Sequence, residues 1–142
     1  MGTILIVDGH SALHALEELR RAHEENPRHG RQLLVDWLSV YQGATETSVV
    51  IVFDGQGRER GKEGGTESEA LVLYSRAGES ADTVIERLAS VQARRHRVTV
   101  ASNDRLVLDA AMASGAEAIS ISGLEESVEE TLGSFRDRWG LR

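Results

Sequence analysis

The chain contains no cysteine, a single proline and few aromatic residues. Its 142 residues include only two tryptophans, two tyrosines and two phenylalanines. Without cysteine, a disulfide framework, a thiolate metal site and a cysteine nucleophile are all excluded. No apolar run is long enough to cross a bilayer, and no cleavable leader precedes the first apolar stretch. We therefore expect a cytoplasmic protein with no membrane partner.

The chain also lacks an excess of positive charge. Its formal net charge at pH 7 is -7, from 23 acidic and 16 basic residues and with histidine counted as neutral. Nucleic-acid-binding proteins usually present a basic face, so the total argues against such a partner. However, many of the acidic residues fall in two helical segments, near residues 17–25 and 125–130, that are expected to face solvent. Because the charge near a site matters more than the total, RNA remains open as a partner.

Five apolar runs alternate with helical patterns. The predicted strands lie near residues 3–7, 49–53, 71–75, 98–101 and 118–121. Strands that are buried on both faces show continuous Ile, Leu and Val, and their alternation with amphipathic helices indicates a mainly parallel sheet. We predict one α/β domain over residues 1–142, a three-layer α/β/α sandwich with a five-stranded sheet in the order 3-2-1-4-5.

Local signals mark helix ends and one loop. Ser11 and Ser80 are predicted N-caps, and the last helix is predicted to pack through Phe135 and Trp139. Residues 56–69 are polar and rich in glycine, with no apolar side chain to anchor them. This segment is predicted to be a mobile loop.

Aspartates follow three of the predicted strands and open the helix after another. Asp8 follows the first strand, Asp54 the second and Asp104 the fourth, while Asp82 opens a helix. Ligands of open α/β sheets bind outside the carboxyl ends of the strands, so we expect the four carboxylates to share one crevice. Their mutual repulsion would be relieved by a divalent cation, and Mg²⁺ and Mn²⁺ prefer oxygen ligands. Metal-assisted phosphodiester hydrolysis uses such a site.

Purely structural roles are the alternative for these residues. Aspartates after strands are common as turn residues and helix caps. His10 and His14 have the four-residue spacing of a metal pair, but His10 is better interpreted as a phosphate or base contact at the helix start, and His14 as a partly exposed helix residue.

Candidate RNA contacts surround the expected crevice. Arg58, Arg60 and Lys62 on the glycine-rich loop, together with Arg105 beside Asp104, are suited to hold a phosphate backbone. The full set of predicted RNA-binding residues is His10, Ser11, Ser102, Asn103, Arg105, Arg58, Arg60 and Lys62.

Four short motifs resemble one protein family over nearly the whole chain. They read Val-Asp-Gly at residues 7–9, Val-Phe-Asp-Gly at 52–55, Glu-Ser-Ala-Asp at 79–82 and Ala-Ser-Asn-Asp at 101–104. In order and spacing they are similar to the NYN domains of the PIN-like nuclease superfamily, and most of all to the YacP-like branch.

The resemblance implies a PIN-like fold and metal-dependent endoribonuclease activity. It implies Asp8, Asp82 and Asp104 as catalytic residues, and the same three with nearby Asp54 as ligands of Mg²⁺ or Mn²⁺. The YacP-like branch includes a ribosome-associated messenger-RNA endonuclease. RNA is therefore the implied partner, with messenger RNA on the ribosome as one form of it.

Two departures from the family pattern support a second hypothesis. Relatives read Asp-Gly-Tyr-Asn after the first strand, where this chain has His10 and Ser11, and they often carry a second acid where this chain has Thr83. The alternative is a catalytically silent NYN-like module that binds RNA or a protein partner. A haloacid dehalogenase-like enzyme would need a second aspartate at position 10, and a receiver domain would need paired acids after the first strand. Both are excluded.

Overall fold

The computed structural model describes residues 2–55 and 62–133. Arg58, Arg60, Phe135 and Trp139 lie outside the described residues, so the predicted packing of the last two is not addressed. Of Lys62, only the backbone is described. Within these limits the chain forms a six-stranded sheet with helices on both faces.

The sheet is parallel except at one edge. Its strands are β1 (Thr3–Asp8), β2 (Thr47–Phe53), β3 (Lys62–Gly64), β4 (Leu71–Tyr74), β5 (Arg97–Ala101) and β6 (Glu117–Ile119). They lie in the order β3-β4-β2-β1-β5-β6. The predicted order of five parallel strands corresponds to β4-β2-β1-β5-β6 and is confirmed. The order reverses at β1, which places the carboxyl ends of β1 and β5 side by side.

Strand β3 corrects one sequence prediction, because it lies inside the segment expected to be a loop. It pairs antiparallel with β4, and Gly64 lies opposite Leu71. Gly64 and Gly65 have φ angles of 70° and 84°, a region that favours glycine, and they turn the chain away from the strand. Pairing with β4 is a backbone interaction, so no apolar pattern marks this strand in the sequence.

Six helices cover the sheet in the described part of the chain. They are α1 (Gly9–Ala15), α2 (Glu17–Glu25), α3 (Pro27–Ala44), α4 (Ala81–Gln92), α5 (Arg105–Ala113) and α6 (Ile121–Leu132). The predicted first helix is therefore divided at Leu16, whose ψ of 116° is extended. Pro27 begins α3 at a position where its missing N–H costs nothing, and the side chain of Asn26 caps that helix. None of the described helices combines the length and apolarity needed to span a membrane.

One of the two predicted N-caps is wrong. Ser80 caps α4 by accepting a hydrogen bond from the backbone of Thr83, as predicted. Helix α1 instead begins at Gly9, and its N-cap is Asp8, which accepts from the backbone N–H of Ser11. Ser11 is therefore inside the first turn, and the strand passes into the helix with no loop between them.

The two faces of the sheet have separate apolar cores. Side chains alternate along β1, so Leu5 and Val7 pack towards α1, α3 and α6, whereas Ile6 packs towards α4 and α5. Trp37 on α3 is fully buried in the first core. The three-layer prediction is confirmed, and its rigid layers fix the strand ends where the aspartates lie.

Candidate active site at the carboxyl edge of the sheet

Asp8 is a buried carboxylate at the end of the central strand. Its exposed fraction is 4%, and its Oδ2 accepts hydrogen bonds from the hydroxyls of Ser11 at 2.9 Å and Ser102 at 2.7 Å. Its Oδ1 accepts from the backbone N–H of Ser11 at 3.3 Å. Three donors therefore compensate the loss of water around this carboxylate.

The partners of Asp8 form a network that joins three elements. The backbone N–H of Asn103 donates to Ser11 Oγ at 3.1 Å, and that of Asp104 donates to Ser102 Oγ at 3.0 Å. The side chain of Asn103 accepts from the backbone N–H of Ile121, the first residue of α6, at 3.0 Å. Ser11, Ser102 and Asn103, all predicted to contact RNA, thus have hydrogen-bond partners within the protein, and their contact with RNA stays a prediction.

Asp54, Asp82 and Asp104 lie at the same edge and are more exposed than Asp8. Asp54 accepts a 3.3 Å hydrogen bond from the hydroxyl of Ser75, which follows β4. Asp104 caps α5 by accepting from the backbone N–H of Leu106 at 2.9 Å. Asp82 lies in the first turn of α4.

The four carboxylates interact electrostatically. The pKa of Asp82 is raised from its ordinary value of 3.8, first by partial burial and then by the negative charges of Asp104, Asp8 and Asp54. Among the described residues, His10 acts in the opposite direction and lowers this pKa. The negative charges of these carboxylates repel one another, which favours a bound cation.

The four carboxylates lie at the same edge, but they are not arranged as a group of three ligands around one metal position. In residues 2–55 and 62–133, no three histidine or acidic side chains are placed so that they could hold one metal ion. Asp8 is held by serines, Asp54 by Ser75 and Asp104 by the helix that it caps. Mg²⁺ commonly binds one or two protein carboxylates and keeps several waters, so the oxygen donors of Asp82 and Asp104 fit such an ion chemically. The assignment of metal ligands remains a prediction.

His10 is exposed and lies beside the acidic edge, as its effect on Asp82 shows. Its ring centroid is 4.2 Å from that of His14, which in turn is 6.1 Å from that of His23. Partial burial and these two neighbouring rings lower the pKa of His14. The three histidines therefore form a row of neighbouring rings that begins at His10.

Arg105 is the one predicted basic contact whose side chain the structure describes. Its Nε lies 3.2 Å from Asp109 Oδ1, and its side chain is 82% exposed. An exposed i,i+4 pair of this kind is weak, so the guanidinium is free to exchange partners. Arg58 and Arg60 fall outside the described residues, and the side chain of Lys62 does too.

Sequence reasoning missed Gly9 and Ser75. A Cβ on Gly9 would lie 2.4 Å from the ring of Phe53 and 2.9 Å from the carbonyl oxygen of Val52. Glycine is therefore required where the helix starts against β2. Ser75 Oγ accepts from the backbone N–H of Gly55 at 3.1 Å while it donates to Asp54, so it fixes the Asp-Gly turn. The feature of the sequence that could have identified Ser75 is its position at the end of a predicted strand.

Comparison with known protein families gives a match over nearly the whole chain. The family model for the YacP-like NYN domain matches residues 5–138. The protein YacP of Bacillus subtilis (strain 168) is 30% identical over 89 residues, which cover 61% of this chain and 51% of that protein. The matched region thus spans about half the length of this curated relative.

Two crystal structures of Rae1 (YacP) from Bacillus subtilis are similar to this fold. A mutant form has a TM-score of 0.76 and 27% identity over 90% of this chain and 75% of that one. The other structure has a TM-score of 0.73 and 28% identity over 96% of this chain and 79% of that one.

Proposed function

Because the chain belongs to the YacP-like NYN domain family, which has a nuclease-like fold, we propose that it is an endoribonuclease that uses Mg²⁺ or Mn²⁺. The observation that carries the proposal is the carboxyl edge itself, where exposed Asp82 lies in the field of Asp8, Asp54 and Asp104. Carboxylate oxygens at the edge of an α/β sheet are the donor type that such an ion requires. The proposed reaction is hydrolysis of an RNA phosphodiester bond.

The four aspartates have different roles in this proposal. Asp82 and Asp104 are the more accessible candidates to hold the ion, with Asp54 at the margin. Asp8 is buried and hydrogen-bonded to both serines, so it fixes the ends of β1 and β5 and adds negative charge behind the site. A bound divalent ion would lower the pKa of a coordinated water and neutralise charge on the phosphate.

The residues around the aspartates are suited to hold RNA. His10 is exposed beside Asp82 and is placed to donate to a phosphate or base. Arg105 carries an exposed guanidinium next to Asp104, which suits a phosphate oxygen. We assign the same role to Arg58, Arg60 and Lys62 from their charge. The proposed substrate is cytoplasmic messenger RNA, with ribosome-bound messenger RNA as one form of it.

The test is a Mn²⁺-dependent cleavage assay on single-stranded and structured RNA. Asp82→Asn and Asp104→Asn are expected to lower the cleavage rate at least about 100-fold, since each removes charge at the centre of the reaction. Glu130→Gln is the control, because it removes one exposed carboxylate near the end of α6, away from the carboxyl edge. Equal rates for all three variants would refute the proposed site.

The silent module remains the second candidate, and specific contacts favour it. The hydroxyls of Thr83 and Ser80 lie 3.1 Å apart at the position where relatives often carry an acid, and both oxygens of Asp8 accept hydrogen bonds. RNA binding in EDTA with no cleavage in Mn²⁺ would establish this alternative. RNA cleavage that depends on Asp82 would exclude it.

A further inference from the structure

A cavity of about 260 Å³ opens at the carboxyl edge, on the α3 side of the sheet. Arg28 and Arg31 from the first turns of α3 form one wall, and Phe53 and Tyr74 at the ends of β2 and β4 form another. Binding pockets for small ligands usually start at about 300 Å³, so this cavity is suited to a single small group.

The described lining of the cavity carries a net positive charge. Arg28 is exposed and Arg31 is half-buried, and neither has a salt bridge to a described acidic residue. Glu69 is the only acidic residue in the described lining. The positive end of the α3 dipole adds to the two guanidinium charges. The cavity therefore favours an anionic group, in contrast to the acidic edge beside it.

The cavity also offers an aromatic surface. The rings of Phe53 and Tyr74 are stacked, with centroids 5.8 Å apart and an interplanar angle of 28°. Phe53 is 5% exposed and supports the pair from the core, whereas Tyr74 is half-buried and reaches the cavity. A partly exposed ring next to two arginines is the combination that binds a nucleobase together with its phosphate.

Residues that line the cavity are adjacent in sequence to residues of the acidic edge. Phe53 precedes Asp54 and Tyr74 precedes Ser75, and the Ser75 hydroxyl donates to Asp54 at 3.3 Å. On its other side Phe53 packs against Gly9, which follows Asp8. A strand of RNA with one phosphate at the acidic edge would therefore have a neighbouring nucleotide within reach of the cavity.

We propose that this cavity is a subsite for one nucleotide of single-stranded RNA, next to the phosphate at the acidic edge. Tyr74 stacks on the base, and Arg28 and Arg31 hold the phosphate that follows it. The inference rests on the proposed function, since it assumes that the acidic edge acts on RNA. It adds a positive subsite that explains how an acidic chain holds a polyanion.

The test measures binding of fluorescein-labelled oligouridylate by fluorescence anisotropy in EDTA, where the metal-dependent reaction is prevented. The double variant Arg28→Ala/Arg31→Ala is expected to bind at least about tenfold more weakly. The slope of log K against log salt should also become shallower by about 0.7, because the two arginines hold one phosphate and each phosphate contact on a single strand contributes about 0.7. The matched control is Arg94→Ala/Arg95→Ala, which removes the same charge from exposed positions next to β5, at the opposite edge.

A second pair of variants tests the aromatic surface. Tyr74→Leu is expected to weaken binding about tenfold, whereas Tyr74→Phe keeps the ring and should retain most of the affinity. Melting temperatures show whether each Tyr74 variant is folded. Arg28 and Arg31 lie outside the apolar core, so their replacement by alanine should not affect folding. The subsite is refuted if the arginine variant binds like its control, if Leu and Phe at position 74 behave alike in folded protein, or if the wild type does not bind.

Cleavage assays separate this inference from the proposed function. If the wild type cuts RNA in Mn²⁺ and Arg28→Ala/Arg31→Ala leaves KM unchanged, the subsite fails and the nuclease stands. If the wild type does not cut but its binding depends on Arg28, Arg31 and Tyr74, the subsite stands and the nuclease fails.

Discussion

The hydroxyl of Ser102 donates a 2.7 Å hydrogen bond to the carboxylate of Asp8, from a residue 94 positions away in the sequence. Both side chains are buried, with exposed fractions of 0% and 4%. The bond ties the end of β5 to the end of β1, where the strand order reverses. Asp8 is therefore part of the framework of the edge, which distinguishes it from Asp82 and Asp104.

Replacing Asp8 is expected to destabilise the protein. In Asp8→Asn an amide nitrogen replaces one acceptor oxygen, so either the two serine hydroxyls that donate to Oδ2 or the backbone N–H of Ser11 that donates to Oδ1 loses its acceptor. The free energy of unfolding should fall by about 1–3 kcal/mol, measured by urea denaturation without metal. Asp104→Asn is the control and should change it little, because asparagine caps helices as well as aspartate does. Equal stability of the two variants would show that the network around Asp8 contributes nothing.

Replacing Asp82 is expected to stabilise the metal-free protein at neutral pH. Its raised pKa means that its protonated form favours folding, and this contribution is complete below the ordinary pKa of 3.8 and lost as pH rises through the raised value. Asp82→Asn should therefore melt higher than the wild type at about pH 7, and the difference should vanish as the pH falls towards 3.8. Thermal melts in EDTA across this range test it. A lower melting temperature for Asp82→Asn at neutral pH would contradict the predicted repulsion.

Adding one methyl group at Gly9 is expected to disturb the edge. The new Cβ would lie 2.4 Å from the ring of Phe53, so the ring or the start of α1 must shift. Overpacking of this kind costs about 1–3 kcal/mol of unfolding free energy. Gly43→Ala is the control, because a Cβ there meets nothing within 4 Å and lies in helix α3. Denaturation curves should show a loss for Gly9→Ala and a small gain for Gly43→Ala.

The basic residues of the glycine-rich segment are expected to bind phosphate. Replacing Arg58, Arg60 and Lys62 together by alanine should weaken binding of single-stranded RNA and reduce its salt slope by about 2, at about 0.7 for each contact. The melting temperature should be unchanged. A triple replacement of Arg94, Arg95 and Arg97, next to the opposite edge, controls for net charge. If both triple variants lose the same affinity, the effect is one of total charge only.

The sequence predicted the framework better than the contacts within it. The apolar run that ends at Asp8 placed the central strand correctly, because burial on both faces leaves an unambiguous pattern. The pattern could not show that α1 starts at Gly9, because that start depends on Phe53, a residue of another strand. It also treats the aspartates as equivalent, although only Asp8 is buried under two hydroxyls.

Helical periodicity predicted positions of helices but not how far each apolar residue is covered. Leu106, Val91 and Met112 follow the spacing of buried faces, yet their exposed fractions are 78%, 53% and 51%. Leu106 follows the first residue of α5, and its exposure shows that no described element packs over it. Such coverage depends on the lengths of adjacent elements, which the local pattern does not contain.

In residues 2–55 and 62–133, both outer strands of the sheet, β3 and β6, are three residues long. Strand β4 is more apolar, with the sequence Leu-Val-Leu-Tyr, and its outer side is paired with β3. An uncovered strand of that composition is a template for the strand of another molecule. The short antiparallel strand therefore protects the protein against self-association, and a deletion of residues 62–64 should produce oligomers or fibrils before it produces an unfolded chain.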